Sequence, residues 1–540
     1  MIKRLIDKQI NSVTYAAVLV ALSSLISRFL GIFRDRILAG EFGAGDTLDI
    51  YYAAFRIPDL IFNLLVLGAL SAGFIPIFAG LLKNPDDSKD NPQAWEFSNL
   101  VVTALGIGLI VVSTLAMIFT APIMKVIAPG FDPERRALTI GLTRVMFLSP
   151  FFLGISSILG GILQSFKRFF IYSLAPIMYN LGIIIGALYF VPRWGLRGLA
   201  WGVVLGAAVH MLVQLPAAAA LGFRLRPKLN FKDLYLRRLG RLMVPRTMSL
   251  AIAQIDLSVS TSIASTLLAG SLAIFNFANN LQSFAIGIFG ISFATAVFPA
   301  LSATARDPVK FVENFSYTLR QILFFIVPST VLLLVLRAQI IRVVLGTGQF
   351  NWEDTVLTVR TLGFFALSLF AQATIPLLTR MFYARENSKT PFYIGLVSVA
   401  ADIALALWLS KKMGVAGLAL AFSIANIINF ILLWLVLRID LGHLDEEKII
   451  FSVAKFSIAG LAAGLAAQQM KSVVWPLIDM SRLWGVFAQG AAAGLIGLLV
   501  YFAVCALLRS EEFFQFFGGI RRRLPFAKVR AEDHIEARGI

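Results

Sequence analysis

The chain has 540 residues, 58% of them hydrophobic and only 14% charged, where an ordinary globular domain is about 25% charged. No water-soluble fold hides that much apolar surface, so the useful count is of membrane spans and not of globular domains. A net charge of +18 does not mark a nucleic-acid binder either, because the basic residues fall in short stretches between apolar runs and form no single face.

Apolar segments long enough to cross a bilayer run at roughly 12–39, 50–82, 97–128, 139–165, 172–192, 198–221, 242–266, 273–303, 317–345, 356–383, 392–410, 415–437, 449–469 and 485–508. Backbone groups in lipid must be satisfied within the segment, and runs this long and continuous do so as helices. An all-α polytopic membrane protein of about 14 transmembrane helices is therefore expected. Lys and Arg gather at Lys3, Arg4 and Lys8, between Arg224 and Arg241, and in a tail that holds Arg521, Arg522, Arg523, Lys528 and Arg530. With an even number of spans all three clusters share one side, which the positive-inside rule makes cytoplasmic. The first apolar run is too long for a signal peptide and lacks a small-residue cleavage pattern, so it reads as a retained helix.

Pro58 and Pro76 in the second span and Pro299 in the eighth are expected to bend their helices. Gly195-Leu-Arg-Gly198-Leu199-Ala200 opens the sixth span and Gly414-Val-Ala-Gly417-Leu418-Ala419 opens the twelfth; Ala72 to Pro76 likewise resembles Thr295 to Pro299. An offset of about 220 residues makes a six-helix unit, which repeats in parallel. The expected organisation is an N-terminal lobe at 1–222, a basic cytoplasmic linker at 223–241, a C-terminal lobe at 242–440, two extra helices at 441–508 and a basic tail at 509–540. Two matched lobes suit alternating access, and so a transporter.

Ionisable side chains inside apolar spans are costly and point to function. The first span carries Arg28, Arg34, Asp35 and Arg36, and the second carries Arg56 beside Pro58 and Asp59. Guanidinium forks match phosphate oxygens and stay charged when partly desolvated, so Arg28, Arg34 and Arg56 are read as lining a cavity for an anionic, phosphorylated cargo. Arg36 is read as a helix-end charge, and Arg144, Arg360, Arg380 and His210 as packing or interface residues. Asp256 and Asp402 are mid-span carboxylates that either hold a coupling Na⁺ or H⁺ or hydrogen-bond neighbouring helices. One cysteine, three scattered histidines and the absence of a Walker loop, Gly-x-Ser-x-Gly or His-Glu-x-x-His motif leave no catalytic site, metal centre or cofactor to propose. Asp86-Asp87 reads as a solvated turn.

Ser27-Arg28-Phe-Leu-Gly31-Ile-Phe-Arg34-Asp35, Phe42 to Asp49, Ala54-Phe-Arg56-Ile-Pro58 and Gly68 to Pro76 together resemble the MurJ/MviN family of lipid II flippases, in the MOP exporter superfamily. Further matches are Ala128 to Phe131, Ala175-Pro176 with Asn180, Gln254-Ile255, and Phe382 to Ala384 with Lys389 to Pro391. The resemblance implies a V-shaped two-lobed bundle in the bacterial cytoplasmic membrane. Its cationic cavity takes the diphosphate-sugar head of lipid II, or of a similar polyprenyl-diphosphate lipid, while its last two helices form a groove for the tail. It places Arg28, Arg34, Asp35 and Asp49 in and around the cavity and Asp402 near a second-lobe cation site, and it implies membrane lipids and other cell-wall synthesis proteins as partners. The chain departs from the family pattern at Phe62-Asn63, at Leu67, and at Asn280, where the family has cations or an acid. Neutral donors such as Asn279 and Asn280 then assist the arginines, or the cargo is another lipid-linked glycan. A drug exporter of the same superfamily and a non-transporting membrane scaffold are the other readings.

Overall fold

The computed structural model of the chain describes residues 13–67, 73–83 and 91–523. Lys3, Arg4, Lys8, Gly68, Ala72, Asp86, Asp87, Lys528 and Arg530 lie outside the described residues. Among the described residues every regular element is a helix.

α1 (Val13–Phe42) leads through a short turn to α2 (Asp46–Ile61). Pro58 sits inside α2 and has no N–H to give the carbonyl one turn back; the helix widens just after it into a π-helical segment, Phe62–Leu67. Pro76 falls instead in the first turn of α3 (Ile75–Leu81), where a missing N–H costs nothing. The predicted third span is two helices, α4 (Pro92–Ile118) and α5 (Thr120–Ile127), which join at Phe119. α6 (Pro133–Met146) starts at Asp132, whose carboxylate accepts the Arg135 N–H at 2.9 Å, and is followed by α7 (Leu148–Ser165). α8 (Phe169–Ile185) passes through a π-helical segment to the short α9 (Val191–Trp194), and α10 (Arg197–Ala220) returns along it.

α11 (Leu234–Ser265) is capped by Asp233. α12 (Ser271–Ala285) continues through the π-helical segment Ile286–Ile291 into α13 (Ser292–Thr304), which contains Pro299. There follow α14 (Pro308–Val344), α15 (Trp352–Ala366), α16 (Leu369–Ala384), α17 (Lys389–Met413), α18 (Val415–Leu441), α19 (Glu446–Val474), α20 (Leu483–Leu507) and α21 (Glu511–Arg523). Among the described residues 11 helices are long and apolar enough to cross a membrane, and 12 if the pair α15 and α16, bent by 43°, makes one span. The other two of the expected spans correspond to α1, which carries the arginines, and to α11, which is apolar only over Leu250–Ser265.

The repeated glycine motif has a structural cause. Gly195 and Gly414 both take the left-handed backbone, at φ +59° and +61°, and in each motif the second glycine donates back to the first. A Cβ on Gly198 would lie 2.4 Å from the Phe190 carbonyl carbon, and one on Gly417 would lie 2.3 Å from the Leu409 carbonyl oxygen. Each turn folds the chain tightly back on the preceding helix, and only glycine allows it. The π-helical segments of the second and eighth spans also recur at about the same offset as the motifs.

The helices form two compact units interleaved in sequence. One collects the chain up to Leu281 with Val344–Thr361 and Gly395–Phe422; the other collects Gln282–Val343, Leu362–Ile394 and the chain from Ser423. In the first, α8 and α10 approach closely at Gly182, Gly186, Gly202 and Gly206, and Phe74 stacks between Phe78 and Phe97. In the second, buried Phe324 packs against Phe456 and Phe502, and its carbonyl accepts the Tyr501 hydroxyl at 2.7 Å. α21 is pinned there by Arg320, which donates to Glu512 at 2.5 Å.

Candidate functional site

Arg34 and Asp35 lie before the end of α1 (Val13–Phe42) and turn into the first unit. Arg34 donates through Nε and Nη2 to Asp35 at 3.0 and 2.8 Å, and through Nη1 to Asn180 of α8 at 3.1 Å. The second oxygen of Asp35 accepts from Asn280 of α12 at 2.9 Å. Arg34 is thus held by an acid and an amide. It still borders a pocket of about 190 Å³, with Leu38, Tyr51, Tyr52, Phe55, Arg56, Asp59, Asn276 and Asn280.

α2 supplies the opposite wall. Tyr52, Arg56 and Asp59 follow at helical spacing of four and three and share a face. Arg56 is only 9% exposed and forms no ion pair within 4 Å among the described residues; its Nε is buried without a hydrogen-bond partner. The Tyr52 hydroxyl is also buried and unpartnered. Buried donors of this kind cost free energy unless a ligand satisfies them. The Arg56 guanidinium and the phenol, beside the Arg34 fork, are donors that could be satisfied by an oxyanion.

The other candidates lie elsewhere. Arg28 is exposed on α1 and does not border the pocket; nor does Asn279, while Asn276, one turn before Asn280, does. Asp49 is 2% exposed and accepts the backbone N–H groups of Gly270 and Ala273 at 2.8 and 2.9 Å, so it caps α12. Beside it Asp354 accepts from Ala44 at 3.2 Å and Asn351 at 3.1 Å. These carboxylates tie the turn between α1 and α2 to the starts of α12 and α15. Arg36 reaches the Val344 carbonyl at 3.4 Å. His210 packs with Ser156, whose Oγ is 2.6 Å from Nδ1, and Arg380 donates to Thr295 at 2.8 Å.

Asp256 of α11 and Asp402 of α17 lie close enough for their carboxylates to interact. One oxygen of each is buried without a hydrogen-bond partner. Two neighbouring carboxylates repel when both are ionised, and a shared proton or a cation relieves that repulsion. In the second unit, α14, α16, α18 and α19 enclose an apolar groove of about 760 Å³, lined by Leu323, Val327, Phe370, Phe430 and Trp434 and closed at one end by the Arg438–Glu446 ion pair.

Sequence reasoning missed Tyr52 and Asn276. Their signal was present: Asp49, Tyr52, Arg56 and Asp59 make one stripe of a helix, and Asn276 precedes Asn280 by four.

Residues 38–487 match the model of the family described as lipid II flippase MurJ. The chain belongs to the MurJ family of lipid II flippases. The probable lipid II flippase MurJ of Thermotoga maritima is 30% identical over 494 residues, which cover 91% of this chain and 96% of that protein. That of Vibrio cholerae is 28% identical over 511 residues, 91% of this chain and 95% of that protein. Among solved structures, a lipid II flippase MurJ in an inward closed conformation is similar in fold, with a TM-score of 0.74 at 24% identity over 93% of this chain and 99% of that one. A multi-pass helical transporter fold is what the MurJ family and this chain share.

Proposed function

We propose that the protein flips lipid II, the polyprenyl-diphosphate-linked peptidoglycan precursor, from the inner to the outer leaflet of the bacterial cytoplasmic membrane. The observation that carries this reading is the pocket of a MurJ-family chain in which Arg56 and the Tyr52 hydroxyl stand unpartnered beside Arg34. A diphosphate offers the acceptors those donors lack. Transport runs by alternating access of the lobes at 1–222 and 242–440, with both termini cytoplasmic, and the work is done by binding and release with no covalent step.

The carboxylates that cap α12 and α15 would close one end of the pathway, and their release would open it. Asp256 and Asp402 would take Na⁺ or H⁺ to drive the cycle. The apolar groove of the second unit suits the polyprenyl tail, which stays in lipid while the head crosses. Asn280 favours a second reading in which a related glycan on the same diphosphate anchor is the cargo, because it meets Asp35 as a neutral amide where the family places a cation. Complementation of a cell depleted of its own lipid II flippase, scored for outer-leaflet lipid II, tests the first reading. Growth without recovery of outer-leaflet lipid II would favour the second.

A further inference from the structure

A second cationic cluster lies within the second unit. α14 and α19 run parallel: Gly460 meets Val327, Gly464 meets Val331, and Lys471 then donates to the Val335 carbonyl at 2.9 Å. Near these C-terminal ends Arg337 projects toward α15, where a Cβ on Gly363 would lie 3.4 Å from its Nη1. Arg337 and Lys471 are half-buried, the Lys471 ammonium sits at the Val335 carbonyl two residues before Arg337, and neither forms an ion pair with a described residue. A glutamine bracket fixes the floor: Gln339 donates to Gln489 at 3.0 Å, Gln489 donates to the Lys471 carbonyl at 2.9 Å, and Gln339 Oε1 is left buried without a donor.

Two cations held together inside apolar helices are unfavourable unless an anion joins them. Snorkelling does not account for the pair, because the Lys471 ammonium turns to a neighbouring helix and not outward along its own. α14 and α19 are the ninth and thirteenth of the expected spans, so with a cytoplasmic N-terminus their C-terminal ends are expected on the outer side of the membrane. There the charge rule disfavours lysine and arginine that have no ligand.

We propose that Arg337 and Lys471 bind the phosphate of an anionic phospholipid in the outer leaflet. Gln339 Oε1 accepts from a head-group hydroxyl, such as those of phosphatidylglycerol. The lipid joins α14, α19 and α20 at this end and neutralises a repulsion the protein does not itself relieve.

Native mass spectrometry of the purified full-length chain tests this with three probes: phosphatidylglycerol, phosphatidylcholine and a polyprenyl diphosphate. The wild type is expected to retain phosphatidylglycerol about fivefold over phosphatidylcholine, R337Q/K471Q to lose that preference, and R337K/K471R to keep it. Polyprenyl diphosphate bound through Arg34 and Arg56 is unaffected in R337Q/K471Q, which separates this site from the proposed transport pocket. If R337Q/K471Q instead loses polyprenyl diphosphate alone, the site serves the cargo and the phospholipid proposal is overturned. Unchanged phosphatidylglycerol preference in folded R337Q/K471Q overturns the proposal. Should that protein not fold, R337Q and K471Q are measured singly, and unchanged preference in both overturns it equally.

Discussion

Asp35 accepts a hydrogen bond from Asn280 at 2.9 Å across 245 positions of sequence. The same carboxylate pairs with Arg34, so one buried acid sets both the charge and the aim of the guanidinium at the pocket wall. Asn280→Ala leaves one oxygen of Asp35 unsatisfied. It is expected to lower stability by about 1–3 kcal/mol and to reduce flipping, read as a fall in the thermal midpoint in detergent and slower recovery in complementation.

Arg56 behaves differently, because no acid holds it within 4 Å among the described residues. Arg56→Gln removes a buried charge whose neighbouring acid in the pocket, Asp59, lies beyond ion-pair distance, so stability is expected to stay near level. Binding of a polyprenyl diphosphate to the purified protein should fall by about tenfold or more, since a charge-assisted contact contributes roughly 1.5–3 kcal/mol. A large drop in thermal midpoint without loss of binding would show Arg56 to be a packing residue.

Gly270 lies at φ +86°, and a Cβ there would sit 1.9 Å from the Ala44 carbonyl oxygen, beside the bonds that Asp49 makes to the start of α12. Gly270→Ala therefore forces the turn between α1 and α2 away from α12. Cys505 is the chain's only cysteine and is buried, so a cysteine introduced at Ala44 can be followed by itself. Its labelling by a membrane-impermeant maleimide should quicken in G270A and in D49A, and unchanged labelling would remove these contacts from any gating role.

The spans and the repeated glycine motif were legible because each is a local consequence of a few neighbouring residues, whereas Pro76, expected to bend its helix, falls in a first turn. Gly195 and Gly414 announce the same backwards turn wherever they stand. Breaks within apolar runs were not legible: nothing apolar changes at Phe119, yet α4 ends there, and α15 and α16 part between Ala366 and Leu369. Of the candidate site residues, Arg34, Asp35, Arg56 and Asn280 come together around one pocket while Arg28, Asp49 and Asn279 stand apart from it. Sequence reports that a charge lies within a span but not which wall it faces; Asp49 turns to backbone N–H groups more than 200 residues away.

The Asp256 and Asp402 pair should act as one unit. D256N and D402N are each expected to abolish any dependence of flipping in proteoliposomes on a Na⁺ or H⁺ gradient, and D256N/D402N should lose no more than either alone. Additive losses would mean that the two carboxylates serve separate helix contacts.

The central claim, that the Arg34 and Arg56 pocket grips a lipid-linked diphosphate, is tested most directly by outer-leaflet lipid II in flippase-depleted cells that express R34A/R56Q at wild-type membrane levels. The account predicts that the wild-type chain restores outer-leaflet lipid II and R34A/R56Q does not. Full restoration by R34A/R56Q would contradict it.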